Sequence, residues 1–382
     1  MGKEATMNGA NAAERNPTMH GGNRFKLAVF GSNCSSGRAA TKVPERWRNE
    51  WEDNVRLAQM SDGYGFEAMV PIGRWKGYGG VTDFEGSTFE TITWAAGLLA
   101  ATKRITVFGT VHVPIFPPVL AAKQIVTADH IGRGRFALNI VCGWNQDEFD
   151  MFGLDQDVHD DRYARGQEWW DIINRVWFAD APFDFDGKYF HLRGVAGRPS
   201  PWGDKRPLLM NAGNSTAGRN FAARNSDLLF DQPHYLDAAS ARIRETKAAA
   251  RALGKDIQVF TSGAIVCRPT QKEADDYFRY FALENADDGA IDTMFKLYLS
   301  AANQRDMTRA DIEKLRSRYA AGYGGLLAVG DPDMVAEELR KLADAGFDGF
   351  CFSLVNYNDE LPFFAQEVLP RLERMGLRRP AE

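Results

Sequence analysis

The chain has 382 residues, of which 44% are hydrophobic and 12% aromatic, with a formal net charge of −5 and a pI near 5.8. Such length and apolar content bury a large core, which excludes a disordered chain and a small disulfide-stapled domain. Lysine and arginine are spread along the chain, so no basic field awaits nucleic acid or an anionic membrane surface.

Residues 1–24 are polar and rich in Asn and Gly, lack the apolar stretch of a secretory signal, and are expected to form a mobile tail. From Phe25 onward, short apolar runs alternate with amphipathic stretches, the mark of βα units around a parallel sheet. The first run is Phe25 to Phe30. A helix follows over Trp51 to Tyr64, with Trp51, Val55, Leu57, Ala58 and Met60 on its apolar side and Gly63 and Gly65 at its end. Runs two and three are Ala68 to Ile72 and Ile105 to Thr110; just past the third, His112 could face a pocket as a general base.

Run four, Phe136 to Val141, leads into Asn139-Ile140-Val141-Cys142-Gly143-Trp144. A polar residue at a strand end points into a barrel mouth, so Asn139 either meets the edge of a bound ring system or is a barrel-layer Asn satisfied by neighbours. Trp144 could wall the same pocket. The stretch from Cys142 to about Arg206 is too long for a simple connection. Within it, Arg162-Tyr163 follows the acidic patch Asp155 to Asp161, and Arg162 suits either a phosphate or a salt bridge to that patch.

Run five, Leu208 to Met210, precedes Asn211-Ala212-Gly213-Asn214-Ser215-Thr216-Ala217-Gly218, small residues opening a helix. This is either an anion cradle of backbone N–H groups with two hydroxyls or a capped βα turn. Leu228 to Phe230 and Val259 to Val266 are runs six and seven. A second long spacing, Arg268 to about Asp331, includes the Gly-rich Ala320 to Gly325, which would act as a hinge. Both long segments follow strand ends, where lids and pocket walls sit, unless they merely decorate the surface. Asp331-Pro332 then starts a helix with Val335, Leu339 and Leu342 inward and Gly346 at its end, before run eight, Gly349 to Leu354.

Eight such runs close a barrel, so the predicted fold is α/β, a (β/α)8 TIM barrel over residues 25–382 as one catalytic domain, with insertions after strands 4 and 7. No segment offers about 18 uninterrupted apolar residues. Cys34, Cys142, Cys267 and Cys351 form no C-x-x-C pair, which argues against zinc and disulfides and fits a reducing cytoplasm. Histidines 20, 112, 130, 159, 191 and 234 lack metal-pair spacing, so no metal is expected. There is no G-x-G-x-x-G opening a helix and no Walker-type loop, so any hydride donor must be used by another protein.

The order of several longer motifs adds a further reading: "IGRWKGYGG" at 72–80, "LAAKQIVTADHIGRGRFALNIVCGWNQDEFDMFG" from Leu120 with "DDRYARG" after it, "FDFDGKYF" at 183–190 and "NAGNSTAGRNFAARNSD" at 211–227. Across roughly residues 25–375 the chain resembles the bacterial luciferase-like monooxygenases, nearest the pyrimidine, dimethyl sulfone and alkanesulfonate monooxygenase branch. That resemblance implies FMN, used as FMNH2, bound without a covalent link at the carboxyl face of the barrel. By matching positions it assigns Gly73 and Arg74 as cofactor contacts, Asn139 and Glu148 to either side of the isoalloxazine, and Arg162, Tyr163 and Ser215 to the ribityl phosphate. Val70, Thr110, Asn139 and Trp144 match a small cavity that places O2.

The resemblance further implies a flavin peroxide, at C4a or N5, that cleaves a C–S, C–N or C–halogen bond in a small sulfone, sulfonate or N-heterocyclic, even flavin-like, substrate. It implies an NAD(P)H-dependent flavin reductase as partner and a homo-oligomer, and it leaves the substrate open. Two other readings use the same fold: a deazaflavin-dependent dehydrogenase that never meets O2, and a flavin-binding protein without catalysis.

Overall fold

The run KLAVF at Lys26–Phe30 is buried at every position, so it needs neighbours on both faces, as strands of a closed parallel barrel do. The computed structural model of the chain describes residues 16–143, 145–155, 159–213, 215–233, 236, 239–299 and 308–380. Its strands are β1 (Lys26–Phe30), β2 (Ala68–Val70), β3 (Thr106–His112), β4 (Phe136–Val141), β5 (Phe183–Asp186), β6 (His191–Val195), β7 (Leu208–Asn211), β8 (Leu228–Phe230), β9 (Gln258–Cys267), β10 (Leu326–Gly330) and β11 (Gly349–Ser353).

Parallel pairing runs β1-β2-β3-β4-β7-β8-β9-β11 and returns to β1, closing the eight-stranded ring. These are the eight apolar runs of the sequence, with ends shifted by at most two residues. The interior is filled by one inward residue set, including Ala28, Phe30, Val70, Phe108, Met210, Phe230 and Phe260. The helices Trp51–Gly63 and Pro332–Asp344 form where their apolar spacing places them; Asp331 caps the latter through the N–H groups of Asp333 and Met334.

Both long segments are structured. After β4 come the helices Gln146–Asp150 and His159–Phe178, then the β5–β6 hairpin. The longer helix belongs to the barrel's coat: Trp169 and Trp177 are buried, and their indole N–H groups donate to the carbonyls of Phe116 and Ala122 at 2.7 and 3.0 Å. After β9 come the helices Gln271–Arg279, Asp288–Tyr298 and Arg309–Gly322, and then β10, which extends the sheet beside the outer half of β9 from Leu326↔Gly263 to Gly330↔Cys267. The expected hinge at Ala320 to Gly325 is instead a packed helix end: Ala320 and Ala321 are buried and Tyr323 forms a left-handed cap. Glycine serves there for close approach, because a Cβ on Gly325 would lie 2.9 Å from the Ser262 carbonyl oxygen.

The expected tail also needs correction from Asn16 onward; residues 1–15 lie outside the described residues. Asn16 N–H donates to the Gly134 carbonyl at 3.1 Å, and the short helix Pro17–His20 puts Met19 into the apolar cluster that fills the barrel. The floor of the ring needs an apolar plug, and Met19 supplies it. Nearby, the buried Glu67 accepts from Asn23 at 2.6 Å, from the Leu27 N–H at 2.7 Å and from Arg378 at 2.7 Å, tying both ends of the chain to one carboxylate. All four cysteines are buried and free. Among the described residues no helix is long and apolar enough to cross a membrane.

Candidate active site

Parallel strands in a barrel send their carboxyl ends, and the loops that follow, to one face. There the strand ends enclose a cavity of about 350 Å³ whose floor includes Phe30, Val70, Asn139, Met210 and Phe230. Gly73, Arg74, Thr110 and His112 form one wall, and Tyr163 with Ala212 and Gly213 another; Arg38, Tyr298 and Tyr323 also line it. Each long segment thus contributes to the cavity, the first through Tyr163 and the second through Tyr298 and Tyr323.

Thr110 and Asn139 are register partners on β3 and β4. Asn139 Nδ2 donates to Thr110 Oγ1 at 3.3 Å, and that hydroxyl donates to the Pro71 carbonyl at 2.9 Å. Asn139 Oδ1 is buried with no hydrogen-bond partner among the described residues. The Asn139 nitrogen is thus satisfied by a neighbour, while its oxygen is buried and unsatisfied. Gly73 keeps this wall thin, since a Cβ there would lie 3.0 Å from Thr110 and 3.2 Å from His112.

His112 faces the cavity, as the sequence suggested. Burial pushes its pKa down to about 4, against Glu148, which raises it. The ring is therefore neutral near pH 7, a hydrogen-bonding wall group with little appetite for a proton.

Arg74 reaches the cavity but is heavily engaged. Its Nε lies 2.9 Å from Glu85 Oε2, its Nη1 3.0 Å from Glu148 Oε1, and its Nη2 donates to the Tyr323 hydroxyl at 3.2 Å. Glu148 also accepts the Trp75 N–H at 2.9 Å, is buried, and does not line the cavity. Here the Glu148 carboxylate holds Arg74 and the backbone after it, because a buried guanidinium needs an opposite charge.

At the other end, Ser215 caps the helix Thr216–Asn225, its hydroxyl accepting the Gly218 N–H at 3.1 Å. Tyr163 hydrogen-bonds the Ser215 side chain, and burial raises the phenol's pKa, so the hydroxyl stays protonated. Gly213 and Gly218 make room for it: a Cβ on Gly213 would lie 2.6 Å from the Tyr163 hydroxyl and 2.7 Å from Gly218 Cα. Ser215 itself does not line the cavity, but its partner Tyr163 does. Arg162 does not line the cavity; its Nη1 donates to the Gly143 carbonyl at 3.1 Å. Trp144 lies outside the described residues.

The structure thus brings Val70, Gly73, Arg74, Thr110, Asn139 and Tyr163 to one cavity, and leaves Ser215, Glu148 and Arg162 outside its lining. Sequence reasoning missed Arg38, Tyr298 and Tyr323. Only the small residues around Arg38 hinted at it, since Gly31 and Gly37 both adopt positive φ in the turn that delivers it.

A family model described as luciferase-like monooxygenase matches residues 25–349. An FMNH(2)-dependent dimethylsulfone monooxygenase of Pseudomonas fluorescens is 28% identical over 358 residues, covering 92% of this chain and 95% of that protein. Pyrimidine monooxygenase RutA of a Bradyrhizobium species is 25% identical over 362 residues, covering 92% and 98%. Among solved structures, DmoA from Hyphomicrobium sulfonivorans superposes with a TM-score of 0.82 at 20% identity, covering 94% of this chain and 92% of that one, a likeness that shows the fold.

Proposed function

The chain belongs to the luciferase-like monooxygenases, and from that premise we propose that it is the oxygenase of a two-component system. It would take FMNH2 and O2, with FMNH2 supplied by a separate NAD(P)H-dependent flavin reductase, and act on a small sulfone, sulfonate or N-heterocyclic substrate, cleaving a C–S, C–N or C–halogen bond. The dimethylsulfone and pyrimidine monooxygenase relatives support the cofactor and the reaction class. A homo-oligomer belongs to the same reading.

The residues present fit FMN. Asn139 Oδ1, an acceptor without a donor in the cavity floor, suits a ring N–H. On the next barrel strand, the Gly213 turn, the Ser215 cap and the start of the helix Thr216–Asn225 suit a phosphate, with Tyr163 as a hydroxyl donor. Reduced FMN, when bound, supplies the two electrons with which one oxygen atom of O2 enters the substrate while the other leaves as water.

The chain's own part is to hold, to orient and to keep water out. Phe30, Ile72, Met210 and Phe230 make the cavity largely apolar, which protects oxygen chemistry from leaking to H2O2. Val70 and the Thr110–Asn139 pair mark the place for O2, and Trp144 belongs to that place by family position. Arg74 touches the cavity, with Glu148 acting only through it as a positioning residue. His112 lends a neutral imidazole to the wall.

The observation that carries this reading is the Thr110–Asn139 pair on the cavity lining, with its unpartnered acceptor. Its test is incubation with an FMN reductase, NADH and a panel of sulfones, sulfonates and N-heterocycles under labelled O2. One labelled oxygen atom per product is expected. Substrate oxidation with a reduced deazaflavin couple and no label would replace this reading with a hydride-transfer enzyme.

A further inference from the structure

Arg38 differs from the other buried arginines among the described residues. Arg74 meets two carboxylates, Arg378 meets Glu67, and the Arg135 guanidinium donates to Thr102 and to the carbonyls of Leu99, Thr102 and Ile105. Arg38 is only 5% exposed, yet its one protein acceptor among the described residues is the Gly322 carbonyl at 3.5 Å, and none of those residues offers it a carboxylate. A guanidinium has five N–H donors, and closing it away from water without acceptors is costly.

The fold nonetheless holds it in place. β1 ends at Phe30, and Gly31 turns the chain with φ +78; a Cβ there would lie 3.0 and 3.1 Å from Arg38 Cγ and Cδ, so the glycine leaves a channel for the side chain. Arg38 Cζ lies 4.6 Å from the centroid of the Phe30 ring and 4.3 Å from that of Tyr323. Ring contacts of this kind steady the charge and leave N–H donors unused. The side chain lines the cavity.

Its position also says what it is not for. Arg38 follows the first strand of the ring and the Gly213–Ser215 turn follows the fifth, which in an eight-stranded ring are opposite. A phosphate held at that turn is on the far side from Arg38.

We propose that Arg38 anchors the substrate by an oxyanion, a carboxylate or sulfonate carried on the molecule to be oxidised. The proposal rests on the FMN reading above and deepens it by naming the substrate class. An uncharged molecule that displaced water from this end of the cavity would strand the guanidinium, so the site selects anionic substrates and rejects neutral isosteres such as simple sulfones.

The test is calorimetric titration of the full chain, with and without FMN, against butanoate and butane-1-sulfonate and against the uncharged butanamide and dipropyl sulfone. The wild type should bind at least one anion about tenfold or more tighter than its neutral counterpart, and R38Q should abolish that difference while leaving the Kd for FMN and, anaerobically, FMNH2 within about twofold. R38K, which keeps the charge without the fork and guards against misfolding of R38Q, should retain a weakened preference. Equal binding of anions and neutral probes by the wild type overturns the proposal, as does an anion preference undiminished in R38Q and R38K. A tenfold loss of FMN or FMNH2 affinity in R38Q would overturn it in favour of a flavin contact. If FMN does not bind but the anion preference is present and depends on Arg38, the flavin reading fails and the anchor stands.

Discussion

Asn139 and Thr110 sit at one register position of neighbouring barrel strands, and the Asn139 amide nitrogen donates across 3.3 Å to the Thr110 hydroxyl. That bond fixes the amide and leaves its oxygen buried without a partner among the described residues. N139A should weaken FMN binding about tenfold by removing the acceptor. T110A should leave binding nearly intact but let the Asn139 amide turn. In both variants, product formed per FMNH2 oxidised should fall and H2O2 rise. Undiminished product yield in both would end the assignment of this pair to oxygen handling.

Glu148 is predicted to matter for stability before ligand binding. E148Q removes one of the two carboxylates on the buried Arg74 guanidinium. It should cost about 3 kcal/mol in denaturant unfolding, the low end for a broken buried pair because Glu85 remains. An E148Q variant with wild-type stability but weakened FMN affinity would show that the carboxylate contacts the ligand.

Ser215 and Gly213 give a phosphate-specific signature. S215A should lose about 1 kcal/mol of stability with the helix cap, and its preference for FMN over riboflavin should fall about tenfold, read by fluorescence titration. G213A should do the same through geometry, since the new Cβ would press on the Tyr163 hydroxyl and Gly218 Cα. Equal losses for FMN and riboflavin would place the phosphate elsewhere.

His112 predicts an acid limb. Its ordinary value is 6.5 and its folded value about 4, so above pH 6.5 both folded and unfolded chains hold it neutral. As pH falls from 6.5 to 4 the unfolded chain takes the proton first, and this group's share of stability is lost, about 3 kcal/mol in all. Below pH 4 the loss levels off. The difference in unfolding free energy between wild type and H112Q, followed over that range, should show this decline; a flat difference would mean His112 is solvated in the folded protein.

The barrel was legible because its strands are short, apolar and separated by turn residues, and all eight runs became ring strands. β10 was not, because it pairs on one side only, with the outer half of β9, and three of its five residues are half-exposed, so its sequence looks like the end of a loop. The cavity lining was legible where a residue lies in the carboxyl half of a ring strand, as Thr110 and Asn139 do. The ion pair of Glu148 was hidden for a different reason: its partner Arg74 is 74 positions away, and no local spacing reveals that the charge is already matched. Arg38 escaped because its neighbours, Phe30, Gly322 and Tyr323, come together only when the second long segment folds over β1.

The shared grip of Asn23, Leu27 and Arg378 on Glu67 sets an order for biosynthesis. As the polypeptide leaves the ribosome, β1 can find β2 at once, but its other edge waits until β11 has been made. Until then an open strand edge and a carboxylate lacking its arginine are presented to chaperones and proteases. A premature stop ahead of Arg378 would therefore yield a product that quality control can recognise by its unlatched seam.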